Sequence, residues 1–386
     1  MKIIYFYQRS KKLIKKNKKI FICATEQSGD NIGYNIIYEL LKLDNSTIFD
    51  GVGGSKMSPF LRNHYYSLKD FNSIGIIEII FSLKKYIKMI SMLITKIISN
   101  NYDLIITVDS PDFNYPLAKK LKKLKYKNKI IQIVAPSVWA WRGYRAKNFS
   151  LVFDELLVLF KFEKKYFQKY NLKTTFIGHP IYYINKTNYV QKSKNLNIVF
   201  MPGSRLSELN KLLPYFDLAY KYLLNTSFNV TIFIPTLPHL ENKINNFIKD
   251  WKIDTIVSSN ILEIENNFKN INKALVCSGT ASLEIAKRNI PQLVIYKLNI
   301  VTEFIVKLFV KIKYANIINI IENKMIIPEL TNSKLNKKKF TEEFTNLLSD
   351  EEAAIKQIES INIVLKEVTV NTPPYSLAAN LINSNF

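Results

Sequence analysis

Short apolar runs rich in isoleucine, valine and phenylalanine alternate along the chain with longer stretches whose apolar positions recur every three to four residues. The short runs predict buried parallel strands and the longer stretches predict the helices that cross between them, the βαβ pattern. In the first half the strand candidates are KIFICA (19–24), STIFDGV (46–52), DLIITV (103–108), KIIQIV (129–134), ELLVLF (155–160) and TTFIG (174–178). In the second they are LNIVFM (196–201), NVTIFI (229–234), DTIV (254–257), KALVC (273–277) and QLVIY (292–296). Both halves therefore predict a doubly wound, Rossmann-like α/β domain. The polar stretch INKTNYVQKSKN (184–195) separates them, and after about residue 330 the pattern is helical to the end. The expected division is a basic arm at 1–18, a first domain at 19–183, a second at 184–345 and C-terminal helices at 346–386. Those helices either finish the second domain or cross back over the first. Open parallel sheets bind ligands beyond the carboxyl ends of their strands, so two such sheets facing one another would enclose a cleft.

At 386 residues and 47% hydrophobic, the chain has enough apolar surface for two ordinary cores, which argues against disorder. No stretch reaches 18 uninterrupted apolar residues, so no spanning helix is expected. The first 18 residues lack an apolar core followed by a cleavage site, which disfavours a secretory signal. Cys23 and Cys277 each end a short apolar run, as buried reduced thiols of a cytoplasmic protein would.

The formal charge of +24 says less than its size suggests, because 49 of the 55 basic residues are lysine, a bias that accompanies the abundant asparagine and isoleucine of an AT-rich genome. Solvated lysines account for most of it. An anionic membrane surface or a nucleic acid are the alternatives; no basic motif with interleaved aromatics is present, and nucleic-acid binding is not expected. The six arginines, at 9, 62, 142, 145, 205 and 288, stand out for planar recognition of anions.

Gly29, Gly51, Gly53, Gly54, Gly203 and Gly279 all lie at or just after predicted strands. FMPGSRLSE (200–208) and CSGTASLE (277–284) each run from a strand through a small-residue turn into a helix. Helix N-termini favour anions, phosphate above all. Neither turn matches the P-loop or the simple dinucleotide fingerprint. Arg205 can clamp a diphosphate and Glu284 can accept from ribose hydroxyls, the bland alternative for each being a capped helix with a surface charge. In the first half TEQSGD (25–30) and TVDSPDFN (107–114) place Glu26, Asp30, Asp109 and Asp112 at strand ends. A carboxylate there can serve as a general base, although Asp30 and Asp112 also suit helix capping. No His, Cys and carboxylate cluster has metal spacing, and neither a metal nor a cofactor is expected.

Taken together, EQSGD (26–30), SIGIIEI (73–79), VDSPDFN (108–114), APSVWAWR (135–142), FIGHP (176–180), MPGSR (201–205) and SGTASLE (278–284) resemble the bacterial lipid-A-disaccharide synthase family. Thr25 stands where that family usually has glycine, and the lysine-rich arm is an addition. The resemblance implies an inverting glycosyltransferase with two Rossmann-like domains, the GT-B architecture. It implies transfer of 2,3-diacylglucosamine from its UDP derivative to the 6-hydroxyl of 2,3-diacylglucosamine 1-phosphate, with Asp109 or Glu26 as base. Gly203, Ser204, Arg205, Ser278, Gly279, Thr280, Glu284 and Asn319 would serve the donor. Ser28, Glu78, Asp112, Ser137, Trp139, Trp141 and Arg142 would serve the acceptor, tryptophan meeting acyl chains and arginine phosphate. Acylated substrates place the enzyme on the cytoplasmic face of the inner membrane, held through the lysine-studded segments 81–99 and 301–314. Other UDP-sugar enzymes of the same fold, a peptidoglycan precursor glycosyltransferase or a UDP-N-acetylglucosamine 2-epimerase, are the alternatives.

Overall fold

The apolar runs become strands because both of their faces find cover. In β1 (Lys19–Ala24), Phe21 and Cys23 join one core cluster while Ile20, Ile22 and Ala24 join another on the opposite face. The computed structural model describes residues 17–71, 76–187, 195–277, 279–299, 303 and 312–386, with backbone alone for 76–83. Most of the basic arm, the centre of the linker and most of segment 301–314 lie outside the described residues.

The first sheet continues with β2 (Ile48–Gly53), β3 (Leu61–Ser67), β4 (Leu104–Val108), β5 (Lys129–Ile133), β6 (Glu155–Val158) and β7 (Lys173–Phe176). Its order is β3-β2-β1-β4-β5-β6-β7, all parallel. Between the strands run α1 (Gln27–Leu43), α2 (Ile76–Asn100), α3 (Pro111–Lys123), α4 (Arg145–Ser150) and α5 (Lys164–Gln168). α1 covers one face through Ile32, Ile36, Ile37 and Leu40, a helical spacing, while Met89, Leu93 and Ile97 of α2 and Leu117 and Leu121 of α3 cover the other. Each fully buried aliphatic chain contributes about 1.5–3 kcal/mol.

The second sheet is β10-β9-β8-β11-β12-β13, made of β8 (Asn195–Met201), β9 (Asn229–Pro235), β10 (Asp254–Ser258), β11 (Lys273–Cys277), β12 (Gln292–Tyr296) and β13 (Glu329–Thr331). Its helices are α6 (Leu206–Leu223), α7 (Pro238–Ile248), α8 (Ile261–Phe268), α9 (Thr280–Lys287), α10 (Ile317–Glu322), α11 (Lys337–Ser349) and α12 (Glu351–Val368). The last helix, α13 (Pro374–Asn383), belongs to the first unit, where Tyr375, Ala378, Ala379 and Ile382 share a cluster with the buried face of α1. The changeover between the units falls at Ile177/Gly178, ahead of the polar linker expected at 184, and residues 139–143 group with the second unit. Two strands had no counterpart in the sequence reading. β3, at the sheet edge, buries only one of its seven residues, and β13 is three residues long.

Candidate active site

In each sheet the strand order reverses direction once, between β1 and β4 and between β8 and β11. Crevices open at such points because the flanking helices depart to opposite faces. Glu26, Ser28 and Asp109 follow the strands at the first reversal, and Gly203–Arg205 and Gly279–Glu284 follow those at the second.

β1 and β4 run in register to Ala24 and Val108, and the next residues carry the acids. Glu26 is the exposed N-cap residue of α1, and Asp109 follows β4 directly. Ser28 Oγ donates to Asp109 Oδ2 at 2.8 Å, and Ser110 Oγ donates to Glu26 Oε1 at 3.3 Å. The two strand ends thus exchange hydrogen bonds from serine hydroxyls to carboxylates, which brings Glu26, Ser28, Asp109 and Ser110 together. The turn is unusual in its backbone: Asp109 and Ser110 both lie in the left-handed region, at φ 54° and 47°.

Asp30 and Asp112 take other roles. Asp30 is fully buried, and its carboxylate accepts from the N–H groups of Gly54, Lys56 and Met57, anchoring the loop after β2. Asp112 is exposed and ion-pairs with Arg145. Ser137 is exposed and Trp139 half-buried, while the Arg142 guanidinium stacks 3.9 Å from the ring centre of the exposed Trp141. The Glu78 side chain lies outside the described residues, as does Ser278.

In the second unit, Gly203 turns the chain out of β8 at φ 106°, a conformation that strains any side chain. Ser204 is exposed, and Arg205, the N-cap residue of α6, donates to Glu208 Oε1 at 2.9 Å. Gly279, at φ 136°, caps α9, and a Cβ placed there would meet nothing within 4 Å, so the backbone is open to a ligand. Thr280 is exposed beside it. Burial pushes the Glu284 carboxyl up to about 7; Arg288 holds it back and Glu265 adds to the rise.

Asn319 departs from a donor-contacting role. It is fully buried; its Oδ1 accepts from the N–H groups of Ile326 and Ile327, and its Nδ2 donates to Ile327 O and Glu329 Oε2. Its amide is committed within the protein, so it holds the loop before β13 and does not present itself to a ligand. Nearby, Asn316 Nδ2 donates to Ser282 Oγ at 2.5 Å, and that hydroxyl donates to Gln292 Oε1 at 2.6 Å. This buried polar chain ties α9 to β12 and α10, a link invisible in sequence because its members are 10 and 34 residues apart. Gln132 and Asn114, whose amides bond the Asp109 carbonyl oxygen, were likewise missed. The sequence signal of Gln132 is a lone amide inside an apolar run, and that of Asn114 is its place at the end of VDSPDFN.

Cys23 and Cys277 are buried; burial raises both thiols, that of Cys277 to about 12. Among the described residues no three His, Cys, Asp or Glu side chains could hold a metal ion, and no helix is long and apolar enough to cross a membrane.

The chain is 34% identical to the lipid-A-disaccharide synthase of Rickettsia prowazekii (strain Madrid E) over 96% of its length and 100% of the relative's. It is 31% identical to that of Gluconobacter oxydans (strain 621H), over 97% and 93%. Among solved structures it is similar to Acinetobacter baumannii MurG, at TM-score 0.62 and 12% identity over 95% and 99% of the two chains. It is also similar to the UDP-GlcNAc 2-epimerase of Neisseria meningitidis bound to UDP-GlcNAc, at TM-score 0.58 and 12% identity over 95% and 98%. At such identities these structures establish the two-domain GT-B fold alone. The lipid-A-disaccharide synthetase family profile matches residues 20–373. With two parallel sheets, clustered acids at one strand reversal and glycine turns into helices at the other, the chain belongs to the lipid-A-disaccharide synthetase family and is a glycosyltransferase of lipid A disaccharide synthesis.

Proposed function

We propose that the chain moves 2,3-diacylglucosamine from its UDP derivative to the 6-hydroxyl of 2,3-diacylglucosamine 1-phosphate, with inversion to a β-1,6 linkage. The observation that carries this reading is the pairing of Ser28 with Asp109 and Ser110 with Glu26, which brings two carboxylates to one strand reversal. Asp109 takes the proton of the acceptor hydroxyl, whose oxygen attacks the anomeric carbon as the bond to the UDP oxygen breaks. Charge then develops on the diphosphate. Arg205 and the N-terminal N–H groups of α6 and α9 meet it, so the reading requires no metal. Gly203, Ser204, Gly279 and Thr280 supply the turns that admit the phosphates, Ser278 serves the donor beside them in sequence, and Glu284 accepts from the ribose. On the acceptor side Trp139 and Trp141 offer apolar surface, and Arg142 meets the 1-phosphate.

Acylated substrates lie in a bilayer, so we further propose peripheral attachment at the cytoplasmic face of the inner membrane. In support, the described half of α2 buries Met89, Leu93 and Ile97 while exposing Lys84, Lys85, Lys88 and Ile87.

Incubation with both acylated sugars, followed by mass spectrometry, tests the reaction. The acylated disaccharide 1-phosphate and UDP should form at equal rates with or without a chelator. Turnover of UDP-N-acetylglucosamine with no acylated acceptor would overturn the reading in favour of an epimerase.

A further inference from the structure

Gln132 is a fully buried glutamine one residue before the carboxyl end of β5, flanked by isoleucines. Thr107 Oγ1, on the neighbouring strand, donates to its Oε1 at 2.6 Å. That bond turns the amide nitrogen toward the ends of both strands. There Nε2 lies 3.1 Å from Asp109 O, 2.9 Å from Ile133 O and 3.1 Å from Val134 O. The orientation is chemically forced, since the reverse would set an amide oxygen against three carbonyl oxygens.

The carbonyls it gathers belong to strained corners. Asp109 and Ser110 are left-handed, and so is Val134 at φ 72°, a conformation that a β-branched residue adopts at a cost. Such corners persist only where surrounding bonds over-determine them. Besides Gln132, the Asp109 peptide is held by Asn114 Nδ2 on its oxygen at 2.8 Å and by its own N–H on Ile133 O at 2.9 Å. One buried amide therefore fixes two departures at once: the turn that aims the Asp109 carboxylate and the corner from which the segment toward Ser137 leaves β5.

We infer that Gln132 is a positioning residue, which sets the Asp109 carboxylate and the Ala135–Ser137 backbone relative to each other without touching substrate. This rests on Asp109 being the base. Removing the amide frees the corner to relax, and a misplacement of about 1 Å at a reacting group costs about 10²-fold in rate.

The test combines single-turnover rates from both acylated sugars with UDP titration and thermal melts for Gln132→Met, Asp109→Asn and the double variant. Gln132→Met should lose about 10²-fold in rate with UDP affinity unchanged. In the Asp109→Asn background the same change should cost less than about twofold, because its effect passes through the carboxylate. Wild-type rates for Gln132→Met, or the full loss repeated in the double variant, would overturn the inference. Asp109→Asn at the wild-type rate would instead sink the base assignment, which separates the two failures. Should Gln132→Met fail to fold, Thr107→Val removes the hydroxyl that orients the amide while keeping its shape. It should then show a several-fold loss that vanishes in the Asp109→Asn background; a wild-type rate would count against the role.

Discussion

Arg205→Ala separates binding from folding. The side chain is 72% exposed and donates to Glu208, three residues on in the first turn of α6, at 2.9 Å. An exposed pair of this kind contributes about 0.2–1 kcal/mol, so the melting temperature should move by only a few degrees. Toward UDP the loss is larger. Hydrogen bonds to a charged partner contribute roughly 1.5–3 kcal/mol, about 10- to 150-fold in Kd. The upper end is expected, because the Glu208 carboxylate reaches within 3.1 Å of where a Gly203 Cβ would stand and would face the phosphates without its cation. Calorimetric titration with UDP, beside a thermal melt, reads both quantities. Unchanged affinity would refute the phosphate role and reduce Arg205 to a surface ion pair.

Three further outcomes follow from the site and its surroundings. Burial pushes the His179 imidazole down to about 4, and its Nδ1 accepts from the Ile181 N–H, so the folded protein holds it neutral. The stability this gives is present above the unfolded value near 6.5 and is lost as pH falls toward 4, on the order of 3 kcal/mol; His179→Asn should flatten that part of the melting curve, and parallel wild-type and variant curves would contradict it. Under the proposed ribose role, ionised Glu284 accepts from the ribose hydroxyls, and burial pushes its carboxyl up to about 7, so UDP affinity should rise between pH 6 and pH 8 and lose that dependence in Glu284→Gln; equal affinities at both pH values in the wild type would remove Glu284 from the ribose. Replacing Lys84, Lys85 and Lys88 by Gln should release the protein from anionic vesicles as high salt does, each lysine contributing about 1 kcal/mol; binding indifferent to both would clear α2 of membrane contact.

What could be read in advance depended on how locally each feature is encoded. Strands buried on both faces, such as β1 and β4, are written as unbroken apolar runs, and the turns after β8 and β11 carry their own glycines. β3 was hidden because an edge strand with exposed Arg62, Asn63 and His64 has no apolar run to show. Asp30 looked like a helix cap in sequence, yet its hydrogen-bond acceptors face a loop 24–27 residues away. Asn319 was legible as a polar residue of consequence but not as a buried one, since the groups that satisfy it lie in the loop before β13. The final helix could not be assigned because its small apolar face suits either domain; packing against α1 decides for the first.

The central claim is that Asp109 deprotonates the acceptor hydroxyl in one unit while the other unit holds UDP. Single-turnover kinetics of Asp109→Asn with both acylated sugars, paired with a UDP titration of the same preparation, tests it most directly. The account predicts a fall in kcat of about 10² to 10⁴ with UDP affinity unchanged. An Asp109→Asn variant that keeps most of its rate, while Glu26→Gln loses it, would contradict the assignment and move the base to Glu26.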